Sequence, residues 1–330
     1  MDTINIAHVR PQSQENNWGD KWHREITCSK FRDHNLKIGF YYGNSYKNDC
    51  IFRHDILDLG EFSFEPTFKE LANKGIERKI PVVSTCIEVL LSSLEENCKK
   101  NNLKRADLAG ISHYVAVTTW TRDLLYHFGI DPAKISVVPC ACDLKMNPAH
   151  HETSRPTFLY LGSLNRKKGF DTVLGEFGKL KGGFLRIVVG EFNNEEEYLR
   201  KLKRIGAETS RFPGLENLNE IYNSVDVVVY PGCLFEPLQF GHPLLWGLSF
   251  GKALVSLNQG GPRDMIEEGR NGFLCNSYGE IGEAMQYFID NEGEIKKFGD
   301  YSRKKAEKEF NADVIAKKYN NVFRRLLNEN

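Results

Sequence analysis

The sequence predicts an α/β protein built from two doubly wound, Rossmann-like domains. Three observations carry that expectation. Short apolar runs alternate with amphipathic helical stretches, the pattern of repeated β–α–β units with helices covering a parallel sheet. The alternation breaks once, at DLKMNPAHHETSRPT, residues 143–157; this stretch is polar, carries prolines and has no periodicity, as a linker does. After residue 278 only helical patterns remain. Ligands of open α/β sheets bind beyond the carboxyl ends of the strands, so a cleft between the two domains is the expected site.

In the first half, INIAHV and LKIGFYY are expected strands, with a helix over GDKWHREITCSKFRDH between them. DILDLG and IPVVSTC follow as strands around a helix at PTFKELANKG. YVAVTT is a strand, WTRDLLYHFG a helix closing on Gly129, and ISVVP a strand. After the break, TFLYLGSL, LRIVVGE, TSRFPG, DVVVYPG, ALVSLN and GFLC are expected strands. FDTVLGEFGKL, EEEYLRKLKRIGA, NLNEIYNSV, FGHPLLWGLSFG and GPRDMIEEG are the helices among them. The tail ADVIAKKYNNVFRRLLNE places Val314, Ile315, Tyr319, Val322, Phe323 and Leu326 at helical spacing. One apolar stripe of this kind needs a surface to cover, and the first domain is the expected one. The predicted organisation is 1–148, 149–308 and a closing helix over 309–330.

Bulk properties narrow the function. Lys+Arg and Asp+Glu are equal at 44 each, without the basic surplus of a dedicated nucleic-acid binder. The basic runs NRKKGF, KLKR and SRKKAEK fit solvated helix faces. None of the 8 cysteines forms a CxxC pair, and Cys140 and Cys142 lack metal-ligand spacing. MDTINIAHVRP is strand-like and no long apolar run is present, so a reduced, cytoplasmic protein with free thiols is expected.

Three strand–loop–helix junctions in the second half could carry chemistry. YLGSLNRKKGFDTVL sets a turn at Gly162 and a basic cluster before a helix beginning near Gly169. A helix N-terminus beside the charge of Lys168 suits phosphate, although a solvated basic loop is the other reading of this segment. VVVYPGCLFEP followed by FGHPLL places Glu236 in a loop before a helix. A carboxylate there can accept from sugar hydroxyls, or simply favour the positive end of the dipole. In NQGGPRDMI, Gly260 and Gly261 allow close backbone approach to a ligand, with Asp264 in the first turn.

LGSLNRKKGFDTVL, FPGLENLNEIYNSVDVVVYP, FGHPLLWGLSFGKALVS and GGPRDMIEEGRNGFL resemble, in order and spacing, the retaining family-4 glycosyltransferases of GT-B fold (glycosyl transferases group 1). YVAVTTWTRDLLYHFGIDPAKISVVPCACD extends the resemblance into the first half. The resemblance implies two Rossmann-like domains facing a cleft, with the C-terminal helix crossing back to the first. It implies a nucleotide-sugar donor, for example a UDP-sugar, held by the second domain, and a glycan, lipid-linked or other hydroxyl acceptor on the first. A peripheral membrane contact fits such an acceptor. No metal and no cofactor beyond the sugar nucleotide is expected, and the implied activity is that of a hexosyltransferase.

Residue by residue, the resemblance carries over in part. Lys168 matches the family's phosphate-binding lysine and is expected to be catalytic. Ser163 stands where the family has its arginine, and Arg166 or Lys167 is the neighbouring substitute. Trp246 stands at the second of the family's two glutamates, which holds the ribose. The first falls at Leu238 by strict counting and at Glu236 with a two-residue insertion. Glu236 is taken as catalytic, on the donor sugar. Gly162, Gly169, Phe240, Gly241, His242, Gly260 and Gly261 complete the expected donor site, and Trp246 is expected to line it by stacking, with filling of the core as the other reading of a helical Trp. On the acceptor side the family histidine is replaced by Ile87, followed by Glu88, and the glycine-rich loop is reduced to Gly19, with Trp18, Asp20 and His23 nearby. The departures keep two alternatives open: a nucleotide-sugar-binding module without turnover, and a phage-type enzyme acting on a modified DNA base.

Overall fold

The structure is a computed structural model that describes residues 2–10, 23–42, 50–59, 66–86, 111–142, 144, 155–164, 168–190, 195–234 and 240–329. Two compact units emerge, Met1–Ala141 with Phe310–Asn330, and Cys142–Glu309.

The first unit holds β1 (Ile4–Arg10), β2 (Leu36–Tyr42), β3 (Ile56–Asp58), β4 (Val82–Cys86), β5 (His113–Ala116) and β6 (Ile135–Val137), in the order β2-β1-β3-β4-β5-β6. Every pairing is parallel. Alternation along β1 separates its faces: Ala7 and Val9 enter one apolar cluster, Ile4 and Ile6 the other. Helices α1 (Pro66–Glu77) and α2 (Thr119–His127) belong to this unit. The hydroxyl of Thr118 caps α2 by accepting from Thr121 N at 3.0 Å.

The expected helix over GDKWHREITCSKFRDH is not continuous in its described part. A π-helical turn, His23–Thr27, and a 3-10 turn, Arg32–His34, take its place. Thr27 accepts through its hydroxyl from Ala141 N at 3.1 Å, and Cys28 and Phe31 sink into the core. Tertiary anchoring, not helical periodicity, sets this segment.

The second unit holds β7 (Thr157–Gly162), β8 (Phe184–Val189), β9 (Glu208–Arg211), β10 (Val227–Val229), β11 (Ala253–Leu257) and β12 (Gly272–Cys275), ordered β12-β11-β10-β7-β8-β9 and again all parallel. Its helices are α3 (Phe170–Phe177), α4 (Glu195–Arg204), α5 (Leu218–Asn223), α6 (His242–Ser249), α7 (Pro262–Met265), α8 (Tyr278–Asp290) and α9 (Glu292–Lys305). Strands β10 and β11 are buried along their whole length, as the central strands of a doubly covered parallel sheet must be. Ser277 caps α8 by accepting from Glu280 N at 3.3 Å, and the Glu280 carboxylate reaches past the cap to accept from Asn276 N at 2.7 Å. The helix expected over GPRDMIEEG stops at Met265. The Asn271 side chain accepts from Glu267 N and donates to Met265 O, offering the backbone a different partner.

The final helix, α10 (Ala312–Glu329), belongs to the first unit. Ile315, Ala316, Tyr319, Val322, Phe323 and Leu326 join the cluster that contains Ile4, Ile6, Val83 and Val115. Ala316 replaces the expected Val314 in the buried stripe; Val314 is half-buried. Beneath the helix runs a buried polar network. His8 Nδ1 donates to Asp58 Oδ2 at 2.8 Å, and Asp58 also accepts from the Thr85 amide at 3.1 Å and hydroxyl at 2.9 Å. Burying a carboxylate is tolerated when its oxygens are satisfied in this way. No described helix is long and apolar enough to cross a membrane.

Candidate functional site

In the second sheet the strand order reverses between β7 and β10, the point at which an open α/β sheet leaves a crevice for ligands. The chain segments that follow β7 and β10 meet there. Gly169, the N-cap of α3, has φ 78°. A Cβ at this position would lie 2.6 Å from Pro231 Cγ and 2.8 Å from Gly232 N. Only a glycine lets the two segments close on each other.

Gly241 opens α6 with φ 85° and no side-chain cap. The first amides of α3 and α6 therefore lack a capping side chain, and helix N-termini of this kind attract anions. Gly261 begins α7, with Gly260 before it at φ 65°. The third junction reaches the second through Gln259, whose Nε2 donates to Cys233 O.

Lys168 and His242 bring charge and a titratable ring to these helix starts. Burial, reinforced by the positive charge of Lys168, pushes the His242 imidazole down to about 4. The ring is therefore neutral at physiological pH. It sits edge-on to Phe240 at 5.2 Å and tilted against Trp246 at 6.1 Å. Part of the residue reaches the surface, yet Nε2 is shut from solvent without a hydrogen-bond partner. Buried polar atoms are nearly always satisfied, so this one marks a place where a partner is still to come.

A tyrosine pair not picked out by motif reasoning supports the junctions. Tyr230, just after β10, lies under Gly162, where a Cβ would come 3.1 Å from Tyr230 Cε2. Tyr230 O accepts from Ser256 Oγ at 2.8 Å. Tyr160 packs on Tyr230 with ring centroids 6.0 Å apart and donates its hydroxyl to Ser163 O at 2.8 Å. The available signal was a tyrosine near the end of each of two buried apolar runs, TFLYLG and VVVY. A fully buried phenol needs an acceptor, and here it fixes the turn that follows β7.

Trp246 departs from expectation. Its ring is not a ligand-stacking surface; the residue is 4% exposed. It stacks on Phe212 at 6.2 Å and 13°, and meets Tyr222 edge-on at 6.4 Å. The cause is Phe212, which follows β9 and offers the indole a flat protein partner.

The structure thus brings together Gly162, Ser163, Lys168, Gly169, Phe240, Gly241 and His242, with Gly260 and Gly261 at the neighbouring junction. Arg166 and Glu236 lie outside the described residues, as do Trp18, Gly19, Asp20, Ile87 and Glu88. His23 opens the π-helical turn of the first unit, and its side chain is also outside the described set. Among the described residues no group of three or more His, Cys, Asp or Glu could hold a metal ion.

This geometry has relatives. Residues 143–305 match the family described as glycosyl transferases group 1. The match spans nearly all of the second unit. An alpha-1,3/1,6-mannosyltransferase of Dictyostelium discoideum is 25% identical over 199 residues, covering 51% of this chain and 46% of its own. A probable sucrose-phosphate synthase of Thermosipho melanesiensis is 24% identical over 205 residues, 57% of this chain and 47% of its own. The chain thus spans less than half the length of these curated relatives. Among solved structures, the sucrose-phosphate synthase of Thermosynechococcus elongatus superposes with TM-score 0.79 at 13% identity, covering 99% of this chain and 100% of its own. Anabaena HepE in complex with UDP-glucose superposes with TM-score 0.74 at 14% identity, over 99% and 100%. The fold of the group 1 glycosyltransferases, GT-B with two Rossmann-like domains, is the fold of this chain.

Proposed function

We propose that the protein transfers a sugar from a nucleoside diphosphate sugar to a hydroxyl acceptor, with retention of anomeric configuration and without a metal ion. The observation that carries this reading is the strand-order reversal of the second sheet, where two uncapped helix starts, Lys168 and the unpartnered Nε2 of His242 occur together. These groups suit a diphosphate. As the bond from the sugar to the leaving oxygen breaks, negative charge develops on the diphosphate. Lys168, the first amides of α3 and the His242 amide at the start of α6 are placed to receive it, which is how preorganised dipoles lower a barrier. The acceptor hydroxyl attacks from the face the diphosphate leaves and gives its proton to the departing phosphate oxygen, so no protein nucleophile is required. Glu236 is assigned to the donor sugar hydroxyls.

UDP is the favoured nucleotide, since HepE, of the same fold, was solved with UDP and with UDP-glucose. A cytoplasmic location is part of the same proposal. The test is calorimetry with UDP and UDP-hexoses, followed by NMR of the product. Binding with an α-linked product from an α-linked donor supports the proposal; no affinity for any nucleoside diphosphate or its sugars would sink it.

A second reading is a nucleotide-sugar-binding module without turnover. Ser163 and the core placement of Trp246 favour it, because neither supplies the charged group of the matching family position. Donor hydrolysis separates the two: a binding module holds the sugar nucleotide intact, whereas a transferase releases its diphosphate slowly to water.

A further inference from the structure

The first unit carries a second concentration of positive charge, far in sequence from the junctions above. A cavity of about 420 Å³ is lined by Asn5, Lys37, Ile38, Gly39, Tyr41, Arg53 and His54. Its floor is the outer strand β2. Lys37, Gly39 and Tyr41 share one face of that strand by two-residue periodicity, the face opposite the one covered by α10. Gly39 makes the hollow: the Tyr41 ring folds back over it, and a Cβ there would meet Tyr41 Cε2 at 3.1 Å and its hydroxyl at 3.3 Å. Asn5 lies beside Lys37 in the parallel register of β1 and β2.

The charge of this cavity is one-sided. Lys37 and Arg53 are both exposed, and among the described residues neither side chain makes an ion pair or hydrogen bond. Among the described residues no carboxylate lines the cavity. The neighbouring Asp55 is not among the lining residues, and its Oδ2 accepts from the Asn5 amide at 2.7 Å and the Asn5 Nδ2 at 3.0 Å. His54 stands edge-on to Tyr41 at 5.7 Å, and its Nε2 is 3.3 Å from the Tyr41 hydroxyl. If the phenol donates that bond, the ring proton sits on Nδ1, which is buried and has no partner. The two cations repel each other until an anion enters, and an oxyanion pairs with both.

We infer that this cavity is a binding site for a phosphate-bearing small molecule, separate from the sugar-nucleotide site of the second unit. The volume exceeds that of a phosphate ion, so a phosphate monoester, its organic part lying against the Tyr41 ring, fits better than the free ion.

The test is a titration of the full-length, 15N-labelled protein with inorganic phosphate and, separately, with glycerol phosphate, followed by amide NMR. Sodium chloride at matched ionic strength is the control. The expected result is saturable movement of the Asn5, Gly39 and His54 amides, at least threefold tighter for the monoester. At least a tenfold loss of affinity is expected in Lys37→Ala/Arg53→Ala. Both substitutions are at exposed positions, so the variant keeps its fold, verified by an unchanged spectrum elsewhere. The inference is overturned if sodium chloride moves the same amides, if the double variant binds as wild type, or if phosphate shifts only the amides near Gly169 and Gly241. Failure of UDP-sugar binding in the second unit would leave this titration unaffected.

Discussion

Gly169 and Gly232 pack backbone against backbone, so that the segment after β7 is closed on the segment after β10 with no room for a methyl group. Gly169→Ala combines a left-handed φ of 78° with a clash at Pro231 and Gly232. The expected loss is about 3 kcal/mol of stability, from backbone strain and overpacking together. Urea denaturation measures it. A variant as stable as wild type would show that the two segments are free to separate.

Trp246→Ala removes a ring enclosed by Phe212, Tyr222 and His242. The expected loss is about 3–5 kcal/mol, as for other large core aromatics. Trp246→Phe should lose less, because stacking on Phe212 survives. If the alanine variant keeps its stability and loses only nucleotide affinity, the ring serves the ligand after all.

His242 separates stability from binding. A buried nitrogen without a partner destabilises a fold by about 1–3 kcal/mol. His242→Leu should therefore raise the melting temperature while weakening UDP-sugar affinity. His242→Gln keeps an amide near the position of Nε2 and should retain more of that affinity. Calorimetry beside thermal denaturation gives both quantities. Equal affinity in all three proteins would show that Nε2 never meets the donor.

Acid should destabilise the first unit through His113. Burial, with a smaller contribution from the Arg325 guanidinium, lowers this imidazole from 6.5 to about 4. The unfolded chain takes up the proton near 6.5 and the folded one only near 4. Stability is thus complete above pH 6.5, falls between 6.5 and 4, and levels off below that. The full drop is about 3 kcal/mol. His242, also near 4, adds a similar slope in the second unit. Arg325→Gln should raise the His113 pKa and flatten the decline in urea midpoints measured from pH 7 to 4.5. An unchanged slope would remove the guanidinium from the account.

Much of this architecture was legible because burial imposes periodicity. The runs VVV and ALVSL are strands in the sequence and in the structure, since a central parallel strand needs apolar groups on both faces. The glycine junctions were legible too, because backbone geometry at positions such as 169 and 241 demands that residue. Trp246 was misread for a reason outside its own segment: the partner that buries it, Phe212, lies on a strand end 34 residues earlier. The Tyr160–Ser163 bond and the support of Tyr230 were equally invisible, because they depend on which strands become neighbours. Local patterns state what each segment can do. They do not state which side chains from distant segments will meet.

The return of α10 to the first unit has a consequence for biogenesis. During translation the sheet carrying Ile4, Ile6 and Val115 is made long before the helix that covers it, since 168 residues of the second unit, Cys142–Glu309, are synthesised in between. Until then, the Asp58 network and the apolar face around it stand open on the nascent chain. Early folding of the second unit would shorten the effective loop that must close, so the later-made unit acts as an internal aid to the earlier one. A ribosome-bound chain stalled before residue 310 should therefore display a protease-sensitive first unit, and one released after α10 a resistant one.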